Sequence, residues 1–373
     1  MASINVRTVQ NKIELMKFIK FQWKIYKDDN YWVPPLIMER KKLLSKEKNP
    51  FFKHAEAEYF LAEKDGDVVG RIAAIKNDMH LKYHNDDSGF FGFFECINDQ
   101  ETANALFDTA KNWLSKKGLK KMMGPANPSS NDEWGMLLEG YNDSPRILMT
   151  YNPKYYNNLC ENYGMKKAKD MNAWKLEYSE VTSSDKLRRG QEIVRKRYNI
   201  KVTQLDMKNF DRDLVKFKYV YNKAWAPNWG FVPMTEEEIY AMAKDLKQLV
   251  EPSLVLFGTI DDELVGAALV MLDYNQIFKN MNGRLFPFNF IKLFTQKKKI
   301  TWARILTLGI IPKFQKKGLD AVLYWEILAR AHKLGIDKGE ASWVLEDNDM
   351  MNRGLELMRA QKYKKYRIWE INI

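Results

Sequence analysis

Apolar and polar residues follow two different periods along the chain, and the clearest change of period lies near its C-terminal end. Residues Ile305 to Ile311 form an apolar run that stops at Pro312, which predicts a buried strand. From Leu319 to Leu328 the apolar residues recur at helical spacing, which predicts an amphipathic helix. A short basic turn that contains Gly318 joins the two. Such a turn directs free backbone N–H groups to one point, so it suits a phosphate or pyrophosphate.

This turn resembles the acyl-CoA pyrophosphate loop of the GNAT superfamily of N-acyltransferases, usually written Q/R-x-x-G-x-G/A. The order Gln315-x-x-Gly318-x-Asp320 carries the likeness, with Asp320 where the family has Gly or Ala. That carboxylate either lies near the pyrophosphate or caps the helix and points away. The alternative to a cofactor site is a plain strand, turn and helix. The resemblance implies acyl-CoA or acetyl-CoA as co-substrate, no metal, and these cofactor-binding residues: Leu308, Ile310, Ile311, Gln315, Lys316, Lys317, Gly318, Leu319, Asp320 and Asn348.

Four segments recur in the same order in the two halves of the chain. Pro34 and Pro233 lie 199 residues apart in similar segments, and Gly70 and Gly266 lie 196 apart in two similar hairpins. A nearly constant offset predicts a duplicated module. Each copy has the element order of the GNAT fold, an α/β (α+β) arrangement with a mixed, mainly antiparallel sheet flanked by helices. We therefore expect two tandem GNAT-like domains, at about residues 1–175 and 176–373.

The N-terminal copy differs from the C-terminal copy at the turn that corresponds to the cofactor loop. Its predicted strand, residues 89–97, runs through Asn98-Asp99-Gln100-Glu101 into a predicted helix over residues 102–117. This turn has no glycine, and its two acidic side chains would repel a pyrophosphate. We expect this copy to lack the CoA loop and to support or shape the acceptor site.

A polar loop, residues 124–152, follows the fifth strand of the N-terminal copy. One interpretation is a capped turn in which Asp132 or Glu133 opens a short helix. The other is a pocket wall in which Glu133 or Asp132 acts as base toward an amine, with Asn127 and Asn131 as substrate contacts. In the other copy, Trp229 and Phe231 belong either to the acceptor pocket or to the core.

The C-terminal copy has an insert of its own, residues 275–300, which is rich in aromatic residues and ends in three lysines. Three interpretations stay open. The insert contacts a membrane surface peripherally, it lines a tunnel for an acyl chain, or it is a loop that packs on the other domain with its lysines solvated. The first two point to a lipid-like substrate.

Composition limits the compartment and the partners. The chain has 373 residues, a net charge of +12 and two cysteines, which favours anionic ligands and a reducing compartment. With no signal peptide and no spanning run in the sequence, we expect a cytoplasmic protein, either free or peripheral on the inner membrane face.

The four histidines show no metal-ligand pattern, and the residues around His80 and His84 predict a loop. No nucleic acid partner is expected, because 48 acidic residues are interspersed with 60 basic ones.

The predicted chemistry is transfer of an acyl group from CoA to an amine. Glu346 at the end of the fifth strand is the first candidate base, and Glu340 and Asp273 are alternatives. Met358 stands where the family often has a tyrosine acid, so the general acid is unassigned. The two-copy layout is also similar to that of bacterial lipid N-acyltransferases of the ceramide-synthase type and of enzymes that make N-acyl amino acids. A lipid or amino-acid amine is therefore the expected acceptor, and a non-catalytic acyl-CoA or lipid-binding protein is the alternative.

Overall fold

Strands and helices alternate along residues 3–373, the part of the chain that the computed structural model describes. The first part contains strands β1 to β8 and helices α1 to α5: β1 Asn5–Thr8, α1 Lys12–Ile25, α2 Ile37–Leu43, β2 Ala55–Lys64, β3 Asp67–Asn77, α3 Asp78–His84, β4 Ser88–Cys96, α4 Gln100–Lys116, β5 Lys121–Gly124, β6 Ala126–Asn127, β7 Glu133–Trp134, β8 Met136–Glu139 and α5 Tyr155–Asn162. The second part continues with β9 Lys166–Glu177, α6 Tyr178–Thr182, α7 Lys186–Tyr198, β10 Lys201–Gln204, α8 Phe210–Trp225, α9 Glu236–Leu246, β11 Val255–Ile260, β12 Glu263–Leu272, α10 Asn275–Phe278, α11 Phe290–Thr295, β13 Trp302–Ile310, α12 Leu319–Lys333, β14 Lys338–Leu345, α13 Asp349–Leu357 and β15 Gln361–Asn372.

Unit 1 contains the described residues up to Asp170 together with Phe278–Phe290 and Lys365–Ile373. Its strands lie in the order β1-β2-β3-β4-β5-β15, and they pair antiparallel except for β4 with β5. The apolar faces of α4 and α5 pack on this sheet, and Trp369 of β15 belongs to the same buried cluster. A strand from the end of the chain therefore completes the sheet of this unit.

Unit 2 contains residues Met171–Ile277 and Ile291–Lys364. Its strands lie in the order β10-β11-β12-β13-β14-β9, and again only one pair, β13 with β14, is parallel. Both units have the mixed, mainly antiparallel sheet with flanking helices that the sequence predicts, so the expected fold class is confirmed. The expected division of the chain into two copies at about residue 175 stays a prediction, because each unit of the structure includes a strand from the other half of the chain.

Two local expectations are wrong. His80 and His84 lie on α3, because Asn77 caps this helix through bonds from the N–H groups of Met79 and His80. Glu133 does not open a helix, because it lies in the short strand β7, which pairs with β6.

No helix among residues 3–373 combines the length and the apolar character that crossing a bilayer requires. In the same residues, no three His, Cys, Asp or Glu side chains are grouped closely enough to hold a metal ion.

Candidate active site

The turn between β13 and α12 contains four consecutive backbone N–H groups, those of Lys316 to Leu319. None of the four has an acceptor among the described residues. Lys316 and Gly318 have left-handed backbone angles, with φ of 61° and 74°. Alternation of such residues with right-handed ones turns successive N–H groups toward one point, which makes an anion-binding concavity. The 15-residue helix that follows adds its positive dipole end. The turn therefore fits a pyrophosphate.

Side chains around the turn support this geometry. The Gln315 side chain donates to the carbonyl oxygen of Ile310 at 3.0 Å, which ties the turn to the end of β13. Lys317 is charged and lies 5.8 Å from the ring centroid of Tyr198, on the neighbouring helix α7. Both orient the loop without occupying its N–H groups.

Asp320 lies in the first turn of α12, where the family pattern has a small residue. Burial raises the pKa of its carboxyl group, and the N–H groups of Asp320 and Ala321 oppose that rise. The carboxyl group therefore competes for the N–H groups of its own turn. The N–H groups it contacts are those of Asp320 and Ala321, so the N–H groups of Lys316 to Leu319 stay free among the described residues.

Strands β13 and β14 separate beside this turn. Their parallel pairing runs from Trp302 with Lys338 to Ile305 with Ala341 and then stops. The Ile311 N–H bonds to Val265 at 2.9 Å, on the β12 side. Because successive residues of a strand direct their backbone groups to opposite sides, the N–H groups of Leu308 and Ile310 face the opening that β14 has left. Ile311, in contrast, has no free N–H to offer a ligand.

Unit 1 has the same separation of strands, but its own residues fill the opening. The pairing of β4 with β5 stops at Phe90 with Met123. The Phe93 N–H then donates to the side chain of Asn127 at 2.5 Å, and the Cys96 N–H donates to the Tyr156 hydroxyl at 2.9 Å. The groups that are free in unit 2 are therefore already bonded in unit 1.

The helix that follows β4 is closed as well. The Asp99 carboxylate caps α4 by accepting a bond from the N–H of Thr102 at 3.1 Å. Its hydrogen bond with the Thr102 hydroxyl holds the pKa of Asp99 below its ordinary value. A charged carboxylate at this helix terminus repels a phosphate. This arrangement supports the prediction that the N-terminal copy lacks a CoA site.

A buried polar network lies at the point where β13 and β14 begin to separate. The Ser342 hydroxyl donates to Glu340 at 2.6 Å and accepts from Arg304 at 2.9 Å. The Tyr363 hydroxyl also donates to Glu340. Glu340 is 0% exposed, and its nearest Arg304 nitrogen lies at 3.8 Å. A buried carboxylate in direct contact with a half-buried phenol can move a proton between a substrate and the protein.

Three buried polar atoms of unit 2 have no hydrogen-bond partner among the described residues. They are the Asn222 side-chain oxygen, the Thr307 hydroxyl and the Trp343 indole nitrogen. Thr307 lies two residues after Ile305, the last β13 residue paired with β14, and the Trp343 ring lies 5.3 Å from the Arg304 guanidinium. A buried polar group without a partner costs about 1–3 kcal/mol. A polar ligand in this region would remove that cost.

An apolar cavity of about 50 Å³ lies against the same two strands, between the sheet and α12. Ile305, the last β13 residue paired with β14, is part of its wall, together with Ala303, Tyr324 and Met358. A short apolar group therefore has a place to bind beside the opening.

The predicted acidic residues lie in different environments. Glu346 lies in the exposed turn after β14. Glu133 is ion-paired with Arg40 in unit 1, and Asp132 accepts a bond from Ser129 at 2.6 Å. Asp273 is 1% exposed and lies beside Gln276. Glu340 combines burial with a bond from the Tyr363 phenol.

The other predicted contacts serve the packing of their own units. The Asn127 amide bridges the Phe93 N–H and Glu133, and the Asn131 N–H donates to the Ser129 hydroxyl. Phe231 is buried against Tyr221, with ring centroids 5.7 Å apart, and Trp229 is half-buried. Asn348 caps α13 through the N–H of Met351. All of these assignments stay predictions.

Sequence reasoning missed Tyr363, Ser342, Thr307, Trp343 and Asn222. One usable signal was present, because Arg304 and Glu340 are charged residues inside otherwise apolar strands. Charged residues are almost never fully buried unless they are paired.

Comparison with known proteins finds relatives that match nearly the whole chain. The chain is 33% identical over 374 residues to Protein YghO of Escherichia coli K12, covering 99% of this chain and 95% of that one. It is 34% identical to the bacterial ceramide synthase of Caulobacter vibrioides, with 99% and 97% covered. A tandem GNAT protein from the clavulanic acid biosynthesis pathway has the same fold over 99% of this chain and 98% of its own, with a TM-score of 0.57 at 10% identity. No family model matches the chain.

Proposed function

The chain belongs to the GNAT superfamily of N-acyltransferases in its tandem form, and from this we propose that it transfers an acyl group from acyl-CoA to the amine of a lipid acceptor in unit 2. One observation carries the assignment to this unit. The opening between β13 and β14 leaves backbone N–H groups free, whereas Asn127 and Tyr156 occupy the corresponding groups in unit 1.

Donor binding uses the turn and the edge of β13. The N–H groups of Lys316 to Leu319 would hold the pyrophosphate. Acyl-CoA supplies an activated thioester when bound. The N–H groups of Leu308 and Ile310 are placed to stabilise the negative charge that develops on its carbonyl oxygen, as oxyanion donors do.

Proton removal from the amine is assigned to Tyr363 and Glu340. An attacking amine must lose one proton, and the phenol oxygen can accept it while the phenol proton passes to Glu340. Arg304 and Ser342 orient the carboxylate. Glu346, in its exposed turn, is the alternative base.

Recognition of the acceptor is assigned to Asn222, Thr307 and Trp343. Together these side chains offer two donors and two acceptors without partners, which suits a small head group with an amine and a hydroxyl. Ceramides are N-acylated amino alcohols with long chains. The relative named bacterial ceramide synthase therefore supports a long-chain amino alcohol as acceptor and a fatty acyl group as donor.

The test is release of free CoA thiol from acetyl-CoA and palmitoyl-CoA, with sphinganine, ethanolamine and glycine as acceptors. We expect turnover with palmitoyl-CoA and sphinganine. Glu340→Gln and Tyr363→Phe should each lower kcat about a hundredfold and leave CoA affinity unchanged. Glu356→Gln on the exposed face of α13 is the matched control.

Each other outcome has a definite meaning. A loss of activity in Glu346→Gln alone would move the base to that turn. CoA binding without thiol release for any amine would favour the non-catalytic alternative. The carboxylate of Asp320 in the cofactor turn is the feature of this chain that points to that alternative.

A further inference from the structure

The insert between β12 and β13 is anchored at both ends and exposed in the middle. Tyr274, Ile277 and Met281 are buried before the exposed part, and Ile300 is buried after it. The Asn282 side chain accepts a bond from the Trp23 indole at 2.6 Å, and the Gly283 carbonyl accepts one from the Ile37 N–H at 2.9 Å. The exposed part, residues 284–299, is therefore held at fixed ends and is named the aromatic segment below.

Large apolar side chains of the aromatic segment face solvent. Phe288 is 76% exposed, Phe294 68% and Phe286 59%, and Phe290 and Ile291 are exposed too. All exposed phenylalanines among residues 3–373 lie in this segment. Met281 and Gly283 are packed, as the third interpretation expects for the insert. The exposed rings that follow disagree with a packed loop and with an acyl tunnel, both of which would bury them. Soluble proteins seldom leave such a cluster uncovered unless it is an interaction site.

Charge indicates what covers it. From Asn275 to Ile300 the chain has six basic residues and no acidic one. Lys298 and Lys299 are exposed, and Arg284 is exposed at the other end of the segment. Bulky apolar rings flanked by free cations match the boundary between the acyl chains and anionic headgroups of a bilayer.

We propose that the aromatic segment is a membrane-docking element, which inserts Phe286, Phe288 and Phe294 at the surface of a bilayer rich in anionic phospholipid. The cations beside these rings then contact lipid phosphates. The proposal does not depend on the catalytic assignment, because docking needs neither acyl-CoA nor an acceptor.

Sedimentation with vesicles tests it on the full chain. We expect binding to vesicles of equal phosphatidylglycerol and phosphatidylcholine, and binding at least tenfold weaker to phosphatidylcholine alone. The triple variant Phe286→Ser, Phe288→Ser, Phe294→Ser should lose at least tenfold in affinity for the anionic vesicles. A matched control replaces three exposed apolar residues elsewhere, Ile13→Ser, Val215→Ser and Leu334→Ser, and should bind as the wild type does. Lys298→Gln with Lys299→Gln should weaken binding and reduce its dependence on salt.

A fluorescent label reports insertion directly. Both native cysteines, Cys96 and Cys160, are buried, so a cysteine placed at position 288 by Phe288→Cys can be labelled selectively. An environment-sensitive dye there should shift to the blue with anionic vesicles, while the same dye at the control variant Tyr240→Cys should not.

Three results would overturn the proposal. One is no binding to anionic vesicles at low salt, and another is equal binding by the triple variant. The third is a blue shift of the label with soluble polyglutamate but not with vesicles, which would assign the segment to an acidic protein partner.

Discussion

Gly318 is the N-cap of α12 and has a φ of 74°, and a Cβ at this position would lie 3.2 Å from the Val194 side chain. Gly318→Ala therefore adds left-handed strain of about 1–2 kcal/mol and deforms the turn that holds the free N–H groups. We expect CoA affinity to fall about tenfold or more, which corresponds to about 1.4 kcal/mol, measured by isothermal titration.

Gly335, just beyond the other end of α12, gives the matched control. Its φ is 79°, and nothing lies within 4 Å of a Cβ built there. Gly335→Ala has the same backbone strain and should lower the free energy of unfolding similarly, with CoA affinity unchanged. Equal loss of affinity in both variants would mean that helix stability, not the turn, governs binding.

Asp320 should make CoA binding depend on pH. Burial raises the pKa of its carboxyl group in the folded chain, so the folded state holds the proton to higher pH than the unfolded state does. The contribution to stability is present below the unfolded pKa and is lost as pH rises through the folded pKa. Asp320→Asn removes this dependence, and its affinity for CoA relative to wild type should grow as pH rises through the same range.

The comparison is a titration of both proteins with CoA at matched pH values, since the ratio of affinities cancels ionisation of CoA itself. A ratio that stays constant with pH would place the Asp320 carboxylate too far from the phosphates to matter.

Among the elements, α8 and β13 meet at an unusually close approach. A Cβ on Gly309 would overlap the Trp225 ring. Gly309→Ala should therefore push α8 away and cost about 1–3 kcal/mol, as overpacking does, measured by urea unfolding. If the Trp225 ring is the main obstacle, a second substitution, Trp225→Ala, should lower the cost of the alanine at position 309. The Cβ of Ala224, which would lie 2.8 Å away, accounts for the cost that remains. If the stability costs of the two substitutions simply add, the contact between position 309 and Trp225 is not the cause.

Elements with a strong local signal could be predicted from the sequence. Helix α12 begins at Leu319, as the helical spacing of apolar residues predicts, because apolar spacing over several turns is a local property. Helix α3 has only seven residues, too few for a period to show, so its polar caps resembled a loop.

The candidate site divides in the same way. The anion-binding turn could be predicted because its residues, Gln315, Lys316, Lys317 and Gly318, are consecutive in the sequence. The pairing of Tyr363 with Glu340 could not, because these residues are 23 positions apart and strand pairing decides whether they meet. The filled opening of unit 1 was equally hidden, since it depends on Asn127 reaching the N–H of Phe93.

At the scale of the whole molecule, the last strand of the chain belongs to the first unit. Residues Gln361 to Lys364 of β15 lie in unit 2, and Lys365 onward lie in unit 1. From Trp369 to Asn372 the strand pairs with β5. The repeat in the sequence predicts two modules but does not reveal which module each final strand completes, because that choice rests on contacts between distant residues.

The substitution Trp369→Ala tests whether the end of β15 stabilises unit 1. The Trp369 side chain is 3% exposed in the core of unit 1, and its indole donates to Asn157 at 3.3 Å. Removing it should cost about 3–5 kcal/mol, and hydrogen exchange should show the loss of protection in α4 and α5. Asn372→Ala, at an exposed position of the same strand, should change neither. Because α12 and the cofactor turn belong to unit 2, their protection should stay near the wild-type level. Equal loss of protection in α12 would mean that the two units unfold as one cooperative structure.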